Sequence, residues 1–395
     1  MRIVQLITQA RGGPVDHAVE MALAFAERGH DSHLIGPPGD YADRLRGSSA
    51  HWHGAAMSGA LDLRGGRAVV RHLARLRPDV LHAQDRRAGL LGRLWARRAT
   101  PCVYTLHGVP DSLADLVPGN VAVAPRRRRD GLAYLRAERQ LARLSGSVVV
   151  TPCEAVATYA RRHVGVPADR VVVVPNGVAV DVTVDAAIDA AGDTGGNTGG
   201  DTGHDRAVRA ARGADPTPDT TAPLAVWLGV MAPVKRVDLL VRAVAQVPGL
   251  RLRLVGDGPE RAVVEATIDA LHLRDRVELT GFLAEPEAAL AEADLFVLPS
   301  AAEACPLALL QAMALGLPAI VTRAGGLPEV VRDGVEGLLV ETDDVRALTT
   351  ALDRLARDPA LRSLLGDAAR ARALSDLTAA RCADRLLDVY REVAR

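Results

Sequence analysis

The sequence predicts an α/β protein built as two doubly wound domains that face each other across a cleft. Three observations carry this prediction. The chain has 395 residues, more than one hydrophobic core usually fills. Short β-branched runs alternate with longer helical patterns, the signature of βαβ units and parallel sheets. That alternation stops in a stretch between Asp181 and Pro223 dominated by Asp, Thr, Gly and Ala, and then begins again. Apolar residues make up 48% of the chain and aromatics only 3%, so Val, Leu and Ala must pack both cores.

In the first half, Val4 to Thr8 reads as a buried strand. Gly12 and Gly13 then turn the chain into a helix whose face holds Val15, Ala18, Val19, Ala22, Leu23 and Ala26. Gly29 ends that helix, and Ser32 to Ile35 is the next strand. Arg67 to Arg77 is helical and stops at Pro78, because proline cannot continue a helix. Asp79 to His82 is a strand, Arg86 to Arg98 a helix and Cys102 to Leu106 a strand. An Arg- and Leu-rich helix spans Asp130 to Leu144, and Ser147 to Val150 and Val171 to Val174 close this half as strands.

The segment 182–222 cannot bury enough apolar surface to offset its chain entropy and reads as a disordered insertion without chemistry of its own. Strands resume at Leu224 to Leu228, Leu252 to Val255, Arg276 to Thr280, Leu295 to Leu298 and Ala319 to Val321. Helices are expected over Val237 to Val247, Glu260 to Leu271, Leu307 to Leu315 and most of the chain after Val345. The domains are therefore 1–174 and 223–376. In such folds ligands bind at the carboxyl ends of the strands.

Composition excludes several functions. Lys plus Arg and Asp plus Glu both total 48, which lacks the basic excess of a nucleic-acid partner. The four cysteines (Cys102, Cys153, Cys305, Cys382) lie far apart with no CxxC pair, so neither a metal site nor a disulfide framework is expected. The N-terminus is too short in apolar length for a signal peptide, and no run approaches the ~20 apolar residues of a membrane helix. A cytoplasmic protein with at most peripheral membrane contact is expected. The run Arg126 to Arg129 could touch anionic lipid or an acidic acceptor, and a solvated loop is the simpler reading.

Four places carry side chains that packing does not explain. Gly12 and Gly13 let a ligand approach the backbone at a helix N-terminus, although an ordinary tight turn would use them too. The pair does not match GxGxxG, and GxxxxGK[ST] does not occur, so dinucleotide oxidoreductases and P-loop ATPases fit poorly. His107, at the carboxyl end of a buried strand, can donate to a sugar hydroxyl or a phosphate oxygen. His82 on the neighbouring strand has the same functional and structural readings. Lys235 follows a strand and opens a helix, where it can neutralise a diphosphate. The stretch from Pro299 to Glu329 combines Glu303, a helix N-terminus near Ala304 to Leu307, Gln311, and Gly325-Gly326, a set suited to a sugar diphosphate.

These residues together resemble the retaining GT-B glycosyltransferases of the family 4 type over nearly the whole chain outside the insertion. The likeness rests on Gly12-Gly13, Glu27-Arg28-Gly29-His30, Pro78 to Ala83, Thr105-Leu106-His107-Gly108, Val174-Pro175-Asn176-Gly177-Val178, Val255 to Pro259 and Thr280-Gly281-Phe282. Its most specific part runs from Pro299-Ser300-Ala301-Ala302-Glu303 through Gln311 to Pro318, then Gly325-Gly326-Leu327-Pro328-Glu329. The resemblance implies GT-B architecture, two Rossmann-like domains and a nucleoside-diphosphate-sugar donor; no metal cluster is visible in the sequence, so no metal or other cofactor is expected. It implies catalytic roles for His107, Lys235 and Glu303. It places Gly12, Gly13, Lys235, Gly256, Phe282, Glu303, Cys305, Pro306, Leu307 and Gln311 around the donor. Glu303 matches the first glutamate of an E-x7-E motif that contacts the sugar hydroxyls, and Gln311 stands where the ribose-holding glutamate usually is. Lys235 matches the diphosphate lysine, His107 a histidine near the transferred sugar, and Gly13 the glycine loop near diphosphate and acceptor. The last helix, 377–395, is expected to pack back on the N-terminal domain.

The sequence departs from the family pattern at Val230, where an arginine usually accompanies the lysine, at Gln311, and at Ala304-Cys305 in place of Gly-Phe or Gly-Leu. An amide still hydrogen-bonds ribose hydroxyls, as a neutral and weaker partner. The expected function is transfer of a sugar, with retention, to a small-molecule, envelope-precursor or lipid-linked acceptor. A non-catalytic partner protein of the same shape, or a GT-B phosphorylase or epimerase, are the alternatives. The Ala-, Arg- and Val-rich, Lys-poor composition resembles that of high-GC bacterial proteins.

Overall fold

Two parallel sheets, each wound with helices, form the core of the protein. The computed structural model describes residues 1–39, 41–59, 62–96, 100–123, 128–179 and 222–395. The expected insertion at 182–222 lies outside the described residues apart from Ala222, and so do Arg126 and Arg127 of the arginine run.

The first sheet holds β1 (Arg2–Leu6), β2 (Asp31–Gly36), β3 (His51–Gly54), β4 (Val80–Ala83), β5 (Cys102–Thr105), β6 (Val148–Thr151) and β7 (Val171–Val173). Their order is β3-β2-β1-β4-β5-β6-β7, and every pairing is parallel. Helices α1 (Gly13–Glu27), α2 (Tyr41–Leu45), α3 (Leu63–Leu76), α4 (Arg86–Ala96), α5 (Arg128–Ser145) and α6 (Glu154–Tyr159) connect them. The second sheet holds β8 (Leu224–Leu228), β9 (Arg251–Val255), β10 (Val277–Gly281), β11 (Leu295–Leu298), β12 (Ala319–Thr322) and β13 (Gly337–Val340), ordered β10-β9-β8-β11-β12-β13. Its helices are α7 (Val237–Ala245), α8 (Arg261–Ala270), α9 (Glu287–Ala291), α10 (Leu307–Ala314), α11 (Leu327–Val330), α12 (Val345–Arg357) and α13 (Pro359–Asp376), and α14 (Ala379–Val393) ends the chain.

Strand order places the site. In each sheet the winding reverses once, between β1 and β4 in the first and between β8 and β11 in the second. Loops leaving those four strands open a crevice at the carboxyl ends, where ligands bind in doubly wound sheets. The β1–α1 loop carries Gly12 and Gly13, and the segment after β8 carries Lys235. The segment after β11 carries Glu303.

Helix α14 returns to the N-terminal domain. Its Cys382, Leu386, Leu387 and Tyr390 join one buried cluster with Met21 and Phe25 of α1 and with Ile3, Val80, Val103 and Val150 of the strands. Leu386 is 1% exposed, so truncating it to Ala costs about 2–5 kcal/mol and loosens this helix first. The chain crosses between domains twice at one place. Val178 N–H donates to Leu377 O at 3.0 Å, and Ala379 N–H donates back to Val178 O at 2.8 Å.

Five elements have no counterpart in the sequence reading: β3, β13, α2, α6 and α9. Strand β3 (His-Trp-His-Gly) is a polar edge strand without an apolar run, and α6 and α9 span only 6 and 5 residues, too short for a helical period. Among the described residues no helix is long and apolar enough to cross a membrane, and no group of three or more His, Cys, Asp or Glu is arranged to hold a metal.

Candidate functional site

The site is built from segments that follow strands at the two reversal points. On the N-terminal side, Gly12 caps α1 with φ 108°, a left-handed conformation that glycine adopts without strain, and Gly13 begins the helix. In that first turn Pro14 has no N–H, and Val15 and Asp16 N–H donate to Gly12 O at 2.8 and 3.1 Å, which leaves the Gly13 N–H as its donor outside the helical ladder.

His107 stands just past β5. Its Nε2 lies 2.8 Å from Gln84 Oε1, on the neighbouring strand's end. The edge of its ring meets His17 of α1, with centroids 5.0 Å apart and planes at 71°. Burial, with His17 and His82 nearby, holds the His107 pKa well below the usual imidazole value, so the ring is neutral at pH 7. Burial likewise lowers His17 to about 4. The expectation for His107 was a donor to the ligand. The nitrogen assigned as donor here is turned inward to Gln84. His82 resolves to a structural residue: it is fully buried and bonded to Tyr390 and Thr105.

On the C-terminal side, Lys235 Nζ and Glu303 form an ion pair with 22% and 9% of their side chains exposed. They are 68 residues apart in sequence and meet because β8 and β11 are neighbours. Glu303 is held from behind by Gly325. A Cβ there would sit 1.9 Å from Glu303 O, and its φ of +49° is left-handed. Asn120, from the N-terminal domain, accepts from Glu303 N–H at 3.2 Å. Pro306 caps α10 and Leu307 opens it, with Gln311 one turn along. Gln311 Nε2 lies 3.5 Å from Glu287 Oε1, which brings a carboxylate from α9 beside the amide. Gly256 follows β9, where its N–H donates to Gly281 O at 2.8 Å.

Further contacts tie the two domains across the crevice. The Arg11 guanidinium lies 4.7 Å from the centre of the Phe282 ring, and Phe282 is 56% exposed. Val121 N–H donates to Ala301 O at 2.8 Å. Glu329 accepts from Glu154 N–H at 2.8 Å and Ala155 N–H at 2.9 Å, so a carboxylate of one domain caps the first turn of α6 in the other. Asn176 Nδ2 donates to Cys305 O at 2.7 Å. Cys305 itself is a correction. Its side chain is buried in the C-terminal core and burial pushes its thiol up to about 12, so this side chain offers nothing to a ligand. Val230 is 55% exposed.

Each half of this arrangement matches a known family. Residues 11–182 match the family described as Glycosyltransferase Family 4, and residues 211–372 match Glycosyl transferases group 1. Together the two matches support a group 1 glycosyltransferase of GT-B fold.

The chain is similar to N-acetyl-alpha-D-glucosaminyl L-malate synthase of Bacillus anthracis, 35% identical over 165 residues, or 41% of this chain and 43% of that protein. A D-inositol 3-phosphate glycosyltransferase of Saccharomonospora viridis is 37% identical over 46% of each chain. Its Mycobacterium avium namesake is 29% identical over 80% of this chain and 70% of that one. The matches to the first two relatives span under half of their lengths. Among solved structures, Anabaena HepE in complex with UDP and glucose superposes with a TM-score of 0.77 at 20% identity, covering 99% of this chain and 100% of that one. Sucrose-phosphate synthase of Thermosynechococcus elongatus gives 0.76 at 20% identity over 99% and 98%.

Arg11, His17, Gln84, Asn120 and Glu329 sit in or beside this crevice, and the sequence reading assigned none of them a role there. His17 had one visible signal, a histidine on an otherwise apolar helical face. Asn120 and Gln84 had none, because what they touch is distant in sequence.

Proposed function

We propose that the protein transfers a hexosyl group from a nucleoside diphosphate sugar to a hydroxyl acceptor, with retention of anomeric configuration. The observation that carries this reading is the Lys235–Glu303 pair at the second sheet's reversal point. In the reaction the C1–O bond to the diphosphate breaks and a C1–O bond to the acceptor forms. The acceptor's proton leaves with the departing phosphate oxygen. Lys235 and the helix N-termini stabilise charge building on the diphosphate. Glu303 accepts hydrogen bonds from the sugar hydroxyls, and Gln311 with Glu287 suits the ribose hydroxyls. His107 is neutral and borders the sugar. Contacts such as Arg11–Phe282 close the crevice and exclude water.

HepE crystallised with UDP-glucose, which makes a uridine donor the first to test. The acceptor is a small molecule, envelope precursor or lipid-linked hydroxyl. A cytoplasmic location suits the four free, buried thiols.

The test is a thermal-shift panel of UDP, GDP, ADP and their glucose conjugates on the wild type and on Lys235→Ala. A nucleotide that stabilises the wild type but not the variant supports the donor site. Losing one charge-assisted phosphate contact costs about 1.5–3 kcal/mol, or roughly 10- to 150-fold in affinity. No shift with any nucleotide, at concentrations where a ~0.1 mM binder registers, overturns the reading. Binding without transfer or donor hydrolysis favours a non-catalytic partner.

A further inference from the structure

Beneath His107 a chain of buried polar groups runs through the first sheet to the last helix of the protein. Gln84 Oε1 receives His107 Nε2 at 2.8 Å. Gln84 Nε2 donates to Gln5 Oε1 at 2.6 Å and lies 3.4 Å from His82 Nδ1. Gln5 Nε2 donates to the Tyr390 hydroxyl oxygen at 3.3 Å, and that hydroxyl also bonds His82 Nδ1. His82 Nε2 lies 2.6 Å from Thr105 Oγ1. Gln5, His82, Gln84 and Tyr390 are all 0% exposed and Thr105 is 2% exposed.

Stability does not require this chain. Apolar residues at β1 and β4 would fill the same space without the need to satisfy every donor and acceptor. What the chain does is define protons. Gln84 directs its amide nitrogen to Gln5 and its oxygen to His107, so His107 Nε2 carries the hydrogen and Nδ1 is the acceptor. Gln5 then donates to Tyr390, Tyr390 donates to His82 Nδ1, and His82 Nε2–H donates to Thr105. Each link takes its direction from the one before. Turning the two amides reverses every link together, so the tautomers of His107 and His82 are coupled whichever way the chain runs.

We propose that Tyr390 and Gln84 are positioning residues for His107, holding it as the Nε2–H tautomer with Nδ1 as the acceptor for a substrate hydroxyl. The C-terminal helix then does more than pack against the N-terminal domain. Docking it supplies the hydroxyl that closes the chain, so the ring bordering the crevice is set only when α14 is in place. The kinetic part of this inference rests on the transferase reading above, while the tautomer itself does not.

Tyr390→Phe tests it. The ring stays packed on Phe25, 5.5 Å away, and only the hydroxyl is lost. With ¹⁵N-histidine labelling, and His107→Gln to assign the signal, the wild type shows His107 as a single Nε2–H tautomer. In Tyr390→Phe the signal moves to a mixture, and kcat for UDP-glucose hydrolysis or transfer falls about 10-fold or more at unchanged donor affinity. Gln84→Leu gives the same pattern and serves if Tyr390→Phe does not fold. A wild-type Nδ1–H tautomer overturns the inference without any variant. So do folded variants with unchanged tautomer and kcat. If the wild type turns over no nucleotide sugar, the transferase reading fails, and the tautomer measurement alone then decides the inference.

Discussion

Glu329→Ala tests whether the two domains are held by the contacts described above. The carboxylate accepts two N–H bonds, at 2.8 and 2.9 Å, from the first turn of α6 across the domain boundary. Bonds to a charged group are worth about 1.5–3 kcal/mol each when buried. Here Glu154 is exposed and Ala155 buried, so water replaces the first bond at little cost. Capping losses of this kind run about 0.5–2 kcal/mol, and the sum settles near 2 kcal/mol for Glu329→Ala. Glu329→Gln keeps one acceptor oxygen but loses the charge, which leaves a cost of about 1 kcal/mol. With an unfolding entropy of about 2.1 cal/mol/K per residue, 2 kcal/mol lowers Tm by roughly 2–3 °C if the protein unfolds as one unit. Calorimetry on wild type, Gln and Ala variants measures the series, and small-angle scattering measures the radius of gyration. The expected order of stability is wild type, Gln, Ala, with a larger radius in Ala. An Ala variant with wild-type Tm and radius would refute a role for Glu329 in joining the domains.

Other outcomes follow from single residues. Gly325→Ala forces a Cβ to within 1.9 Å of Glu303 O at φ +49°, so donor-induced stabilisation should vanish while circular dichroism stays native; intact donor binding would show that this loop shifts freely. Arg11→Ala removes a cation–π contact between exposed partners worth about 0.5–1 kcal/mol, and the donor KM should rise about 2- to 5-fold with kcat nearly unchanged, as steady-state kinetics will read. For pH, burial lowers His17 from 6.5 to about 4, so between those values the unfolded chain binds more protons than the folded one. Stability is full above pH 6.5 and falls as pH drops toward 4, by about 3 kcal/mol from His17 alone. Urea midpoints measured from pH 7.5 to 4 should flatten in His17→Asn; an unchanged slope would assign the acid sensitivity elsewhere.

Much of the fold was legible in the sequence because its signals are local. Parallel strands buried on both faces read as short apolar runs, and β6, β8, β11 and β12 all have that form. The site residues singled out from sequence share one trait, a position just after a strand, often next to glycine or proline. Gly12, His107, Lys235, Glu303 and Pro306 all stand there. Strand β3 escaped because a polar edge strand is defined by the neighbour it pairs with, β2, and its own residues carry no apolar pattern.

The sequence by itself therefore determined the architecture of two wound sheets and the turns that follow their strands. Only the tertiary structure decided which side chains meet. Lys235 finds Glu303 through the adjacency of β8 and β11, and Gln84 finds His107 through that of β4 and β5. Arg11 reaches Phe282, Glu329 reaches α6, and Tyr390 reaches His82 across 308 residues. Local propensity sets each element, but strand order and domain docking arise from the burial of whole faces, and no short window of sequence records which faces those are.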